Sequence, residues 1–182
     1  PSRTVPDEQL EIVGARAKHL FENTDKAILG WGASISIIGL SDVGTVAENL
    51  TQGSLDTWLL MLMTEKETAH DMMGRYVDAT IEKMRLYHQA VGEACFAWVV
   101  GADDAGTQKG VVMAPELFTE MVKPHYRRLC DWVHANTRWK TYLHSCGSIY
   151  HYIGEWIDAG IDILNPVQIS AAHTEPERLM ND

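Results

Sequence analysis

Three shortages in the 182-residue sequence each remove a class of protein: cysteine, positive charge and long apolar runs. The three cysteines, Cys95, Cys130 and Cys146, are odd in number and far apart. That count gives no disulfide framework and suits free thiols or thiolate ligands in a reducing cytoplasm. Lys and Arg number 15 against 25 Asp and Glu, a formal net charge of -10. Nonspecific nucleic-acid binding and anionic membrane surfaces both reward clustered cations, so neither is expected. No apolar run reaches the roughly 18 residues of a membrane span, and no charged-then-apolar secretion segment opens the chain. Gly-x-Gly-x-x-Gly and P-loop patterns are missing after the expected strands, which weighs against Rossmann and NTPase readings. No internal repeat or low-complexity segment is present.

What is present is a large apolar fraction, 46%, arranged with clear periodicity. Pro6-Asp7-Glu8 leads into Leu10, Val13, Ala17, Leu20 and Phe21, an amphipathic helix with acidic residues in its first turn. Residues 27–40, AILGWGASISIIGL, predict a strand with its loops; 41–63 has no clear assignment, with a short helix expected. Thr64-Glu65-Lys66-Glu67 has the spacing of a capping box and predicts Thr64 as the N-cap of a long helix. Its inward face would carry Met73, Val77, Thr80, Met84, Tyr87 and Val91, with an end near Gly92.

From there the pattern is regular. Cys95–Val100 is an apolar strand. Pro115 opens a helix with Phe118, Val122, Leu129 and Val133 inward, kinked at Pro124. Thr141–His144 is the next strand. Ser148 is expected to cap a helix carrying Ile149, Ile153, Trp156 and Ile157, which stops at Gly160. Ile161–Leu164 is a third strand, and a helix begins after it. Strand and helix alternating with short connections, and strands apolar on both faces, predict parallel βα units. The fold class is therefore α/β, with a βα barrel and an open sheet both compatible. Both ends read as cut: the chain starts at Pro1 rather than Met, and its last helix stops after about two turns. We read residues 1–182 as a single domain from a longer polypeptide.

Chemistry gathers where the strands end. Val100 is followed by Asp103, Asp104 and Gln108, Leu143 by His144 and Cys146, and Leu164 by Asn165 and Gln168. In parallel α/β folds the loops leaving the strand C-termini surround the ligand site, although any single polar loop is ordinary. His144 and Cys146 are two residues apart, so in an extended chain both project to one side. An imidazole and a thiolate sharing one space suit zinc. The same pair also suits the end of a buried strand, where Cys is a small hydrophobe and His forms hydrogen bonds. Cys95 and Cys130 read as packing. His70, His88, His125, His134 and His151 fall on expected helices, and His173 lies in a loop near the rim. The tryptophans and the methionines of 61–73 read as core.

Three segments together carry a specific pattern: ADDAGTQKGVVMAPELFTEMVKPHYRRLCDWVH, YLHSCGSIYHYIGEWIDAGIDILNPVQ and TEPERL. In this combination the chain resembles the uroporphyrinogen decarboxylase superfamily, and most of all its cobalamin-linked (corrinoid) methyltransferase branch. The clear resemblance covers residues 95–182. It implies a (β/α)8 TIM barrel, of which this chain supplies part, and a zinc site at the barrel mouth. His144 and Cys146 match the branch's His-x-Cys metal pair. The branch's further cysteine lies nearer the C-terminus, and no cysteine follows Cys146, so that third ligand is expected beyond residue 182. The resemblance further implies methyl transfer between cobalamin on a partner corrinoid protein and a small-molecule thiol or other acceptor or donor. Asp103, Asp104, Gln108, Asn165 and Gln168 would line the mouth and bind substrate. A homodimer is one assembly open to such a protein, and the cytoplasm its expected location.

Three alternatives remain at this point. A porphyrinogen decarboxylase needs no metal and calls for arginines around a polycarboxylate substrate. Yet Arg75, Arg85, Arg127, Arg128, Arg138 and Arg178 mostly fall on expected helices. A non-catalytic barrel fragment would keep the rim residues as relics. A metal-dependent hydrolase would place several His and carboxylate ligands on successive strands, and here one His ends a strand.

Overall fold

The computed structural model describes residues 5–38 and 55–181. Helix α1 spans Asp7–Asn23, with Asp7 and Glu8 in its first turn where their charge favours the helix dipole. Strand β1 is short, Leu29–Gly30, and Ile35 adds an isolated parallel bridge to Gly101. Residues 39–54, which hold most of the unassigned stretch, lie outside the described residues. Helix α2 covers Leu55–Thr64 and the long helix α3 Lys66–Val91. All six inward residues expected for α3 are buried, and Gly92 terminates it at φ 55.

The capping box does not form. Thr64 is the last residue of α2, and its hydroxyl donates back to the Leu60 carbonyl at 3.0 Å. The preceding helix claims the side chain that the motif would have used. Glu65 stands at the α3 N-cap position without a side-chain cap.

Strand β2 is Ala97–Ala102, followed by α4 (Pro115–Met121) and α5 (Lys123–Asn136). Pro115 occupies the first turn of α4, and Pro124 splits the expected kinked helix into these two pieces. Proline offers no N–H to continue the ladder and its ring collides with the preceding turn. Strand β3 is Lys140–His144, α6 Tyr150–Ala159, β4 Ile163–Asn165 and α7 Pro176–Asn181. Gly160 takes the left-handed conformation (φ 96) that closes α6. Ser148 does not cap α6; its hydroxyl donates to the Ala172 carbonyl instead. Ile157, expected inward, is 65% exposed, while Tyr152 on the opposite side of the turn is buried.

All four strands are parallel, in the order β1-β2-β3-β4. Parallel neighbours joined by right-handed crossovers that always advance in one direction place every crossover helix on the same face. That arrangement is an arc of a (β/α)8 barrel and is distinct from a doubly wound sheet, whose order reverses. Along β3, Thr141 and Leu143 are fully buried, while Tyr142 and His144 on the other face are partly accessible. The helix side is sealed by aromatic packing. Trp98 and Trp139 stack with centroids 4.6 Å apart, and Phe118 stacks on Tyr152 at 4.3 Å. The indole N–H groups of Trp58, Trp98 and Trp139 donate to the carbonyls of Ile37, Ala33 and Gly92. Cys95 and Cys130 are buried in this core, and burial pushes their thiols up to about 11 and about 12. Among the described residues no helix is long and apolar enough to cross a membrane.

Between α3 and α5 the rings of His70 and His125 meet, Nδ1 to Nε2, at 3.0 Å. His125 is 7% exposed, and burial, then His70 and Arg128, lower its pKa to about 4. Unfolded, the same ring takes its proton near 6.5. The neutral buried ring therefore favours folding fully above about pH 6.5, and that contribution is lost as pH falls toward about 4. The unfolding free energy of the wild type, measured by urea titration, should drop over that window by about 3 kcal/mol. His125→Phe should lose this part of the slope, and an identical pH dependence in both proteins would contradict the assignment.

Candidate metal centre

The C-terminal ends of β2, β3 and β4 lie level with one another. Ala102 pairs with His144, and His144 with Asn165. The ladder runs one residue further, with Asp103 N donating to the His144 carbonyl at 2.9 Å and Ser145 N to the Asn165 carbonyl at 2.8 Å. The backbone consequently stays extended through Ser145, whose buried hydroxyl accepts the Ala105 N–H on the helix side. His144 and Cys146 are thereby sent to the opposite side together. Their Nε2 and Sγ atoms are 3.4 Å apart.

A third donor joins them from the loop after β2. Asp104 Oδ1 lies 3.9 Å from His144 Nε2 and accepts the backbone N–H of Cys146 at 3.2 Å. One ligand atom from each of Asp104, His144 and Cys146 falls within 4.8 Å of the other two. Zinc–sulfur and zinc–nitrogen lengths of about 2.3 and 2.0–2.1 Å, at a tetrahedral angle, imply a sulfur–nitrogen separation of about 3.5 Å. The observed 3.4 Å fits, and the carboxylate is within a small side-chain rotation of its place. Sulfur, nitrogen and oxygen from three residues are ligand types that zinc accepts, so the cluster is a candidate metal centre.

Burial, then the neighbouring Asp104 carboxylate, raises the Cys146 thiol above its ordinary value. An anion beside a thiol opposes the thiolate. A divalent cation among the three groups would reverse that sign, because it rewards both anions at once. The arrangement suits a cation better than a bare thiol nucleophile.

The sequence points to Asp104 only as a substrate residue, and its place among the donor atoms is what that reading missed. Strand parity holds the missing signal. Successive residues point to opposite sides, so one member of an Asp-Asp pair at a strand end must turn toward the helices and the other toward the mouth. Asp103 is the inward one. It is fully buried, in place of the rim position expected for it, and its carboxylate accepts Ile37 N at 2.8 Å, Ile38 N and Ser36 Oγ at 2.9 Å each, and the Tyr126 hydroxyl. It ties the 35–38 segment and α5 to the end of β2.

The remaining candidates separate as clearly. Gln168 Oε1 accepts the Gly147 N–H at 3.0 Å, and Asn165 Oδ1 lies 3.1 Å from His144 Nδ1. Both touch the loop that carries the pair. Gln108 is exposed on the Thr107–Gly110 turn, and its carbonyl accepts Ala172 N. His173 stands outside the triad, exposed beside Arg178. Gly147 sits at φ 88, and a Cβ there would come within 2.2 Å of the Gly106 carbonyl oxygen. The two loops touch backbone to backbone.

Fold and geometry together define a βα-barrel protein with a candidate metal centre at the C-terminal mouth of its strands. The uroporphyrinogen decarboxylase (URO-D) family matches residues 13–171, and the chain belongs to that family. A solved structure, a methyltransferase from Methanosarcina mazei, superposes with a TM-score of 0.56 at 21% identity, over 88% of this chain and 44% of that one. At that identity the likeness shows the fold, and the chain spans less than half of the neighbour's length. Among curated proteins none matches.

Asp103→Ala would strand two buried N–H groups and the Tyr126 hydroxyl. It should cost about 3 kcal/mol or more of stability in urea unfolding, against about 1 kcal/mol for Tyr126→Phe. Equal, small losses would remove Asp103 from its place as anchor.

Proposed function

We propose that the chain takes part in zinc-dependent methyl transfer between a corrinoid carrier protein and a thiol or other small acceptor. The observation that carries this reading is the meeting of Asp104, His144 and Cys146 donor atoms at the strand ends. Membership of the URO-D family and the barrel shared with a methyltransferase support it. Bound zinc would supply Lewis acidity, lowering the pKa of a coordinated thiol so that a thiolate nucleophile exists at neutral pH.

The chain's own residues have distinct tasks in this scheme. His144 and Cys146 hold the cation, and Asp104 adds a third donor and a negative charge. A carrier protein would approach from the strand ends, where these three side chains sit. Gln108, exposed on the Thr107–Gly110 turn, would contact substrate in this scheme. Asn165 and Gln168 hold the ligand loop. A reducing cytoplasm suits the three free thiols.

Decarboxylation of a polycarboxylate is the rival within the family. Arg75, Arg85 and Arg128 lie on helices, paired with Asp71, Glu82 and Asp78. Their guanidinium groups are spent on surface ion pairs, and the triad would have no task in that reaction.

Metal analysis of the purified protein should find about one zinc per chain, largely lost in His144→Ala and Cys146→Ser and weakened about 10–100-fold in Asp104→Asn. Equal zinc in all four proteins would defeat the proposal. Turnover of uroporphyrinogen without added metal would favour the decarboxylase.

A further inference from the structure

Neutral imidazole has one N–H and one lone pair, and the hydrogen bond made by one ring nitrogen decides which role the other plays. At His144 the two nitrogens face different surroundings. Nε2 points at Cys146 Sγ, 3.4 Å away, while Nδ1 faces Asn165 Oδ1 at 3.1 Å. The Asp104 carboxylate, 3.9 Å from Nε2, is beyond hydrogen-bond reach and does not claim a proton there. We propose that Asn165 is a positioning residue: its side-chain oxygen accepts the Nδ1 proton of His144 and so holds Nε2 as the free lone pair aimed into the donor cluster.

Backbone register stands behind this contact. His144 and Asn165 are direct partners in the β3–β4 ladder, and Ser145 N donates to the Asn165 carbonyl at 2.8 Å. Side chains of paired residues in neighbouring strands leave the sheet on the same side, so the amide meets the ring without a search through rotamers. Asn165 thus meets the ring at Nδ1 from β4, while Cys146 and Asp104 lie at Nε2. An oriented ring with its second nitrogen already engaged is what a metal-binding histidine requires.

The consequence for metal affinity rests on the zinc reading above, whereas the tautomer itself does not, and the two are measured separately. Long-range proton–nitrogen correlation spectra of the metal-free, full-length protein, at a pH well above the ordinary imidazole value, report which ring nitrogen carries the proton. His144→Gln identifies the resonances. We expect Nδ1–H in the wild type and in Asn165→Asp, which keeps an acceptor, and a shift toward Nε2–H in Asn165→Ala. Cobalt(II) titration of the same proteins should show Asn165→Ala weakened about 10–100-fold and Asn165→Asp close to wild type.

Nε2–H in the wild type, or no change of tautomer in Asn165→Ala, would overturn the proposal. An altered tautomer with unaltered cobalt affinity would overturn the positioning role. If the tautomers behave as expected and no variant, wild type included, binds cobalt, the inference about Asn165 and His144 stands and the zinc reading fails.

Discussion

The level alignment of three parallel strand ends governs this structure. Ala102, His144 and Asn165 form one row across β2, β3 and β4, and the hydrogen bonds of Asp103 and Ser145 carry that row one residue past the regular sheet. Slipping β3 by a single residue would exchange its faces. His144 and Cys146 would then enter the helix layer, and Leu143 and Ser145 would occupy the mouth. The donor cluster thus depends on strand register, which in turn depends on the burial of Thr141 and Leu143 against the helices.

Around that row the side chains fall into two populations with different physical demands. On the helix side, Asp103 and the indoles of Trp58, Trp98 and Trp139 satisfy buried polar groups that water cannot reach. On the mouth side, Asp104, His144 and Cys146 are only partly buried and make few commitments to the rest of the protein. An incompletely satisfied cluster of donors is costly in a core and useful at a rim, where a ligand can complete it. The two neighbouring aspartates show how one residue step along a strand decides between these outcomes.

The alternation of βα units was legible in the chain because each strand is short, apolar and followed by a strong helix start. Pro115 and Gly160 behave as their conformational limits require. The inward face of α3 follows from its period alone. Local motifs were less dependable. Thr64 and Ser148 both have the chemistry of helix caps, yet the Thr64 hydroxyl donates back into the helix it ends, and that of Ser148 to the Ala172 carbonyl from a later loop. Ile157 fits an apolar stripe but lies on the outside. Of the site, the convergence of His144 and Cys146 was readable because it is a property of one extended strand. Asp104 was recognisable as a rim residue but not as a donor, since its approach to His144 crosses from the loop after β2 to β3 and no local pattern encodes it.

Gly106 and Gly147 bring the loops after β2 and β3 into backbone contact, with no room for even a methyl group between them. Two segments fused in this way form a single wall, so a change of length in one displaces the other. Diversification of what this mouth accepts would therefore fall on exposed side chains such as Gln108 and would spare the backbone of the seam itself.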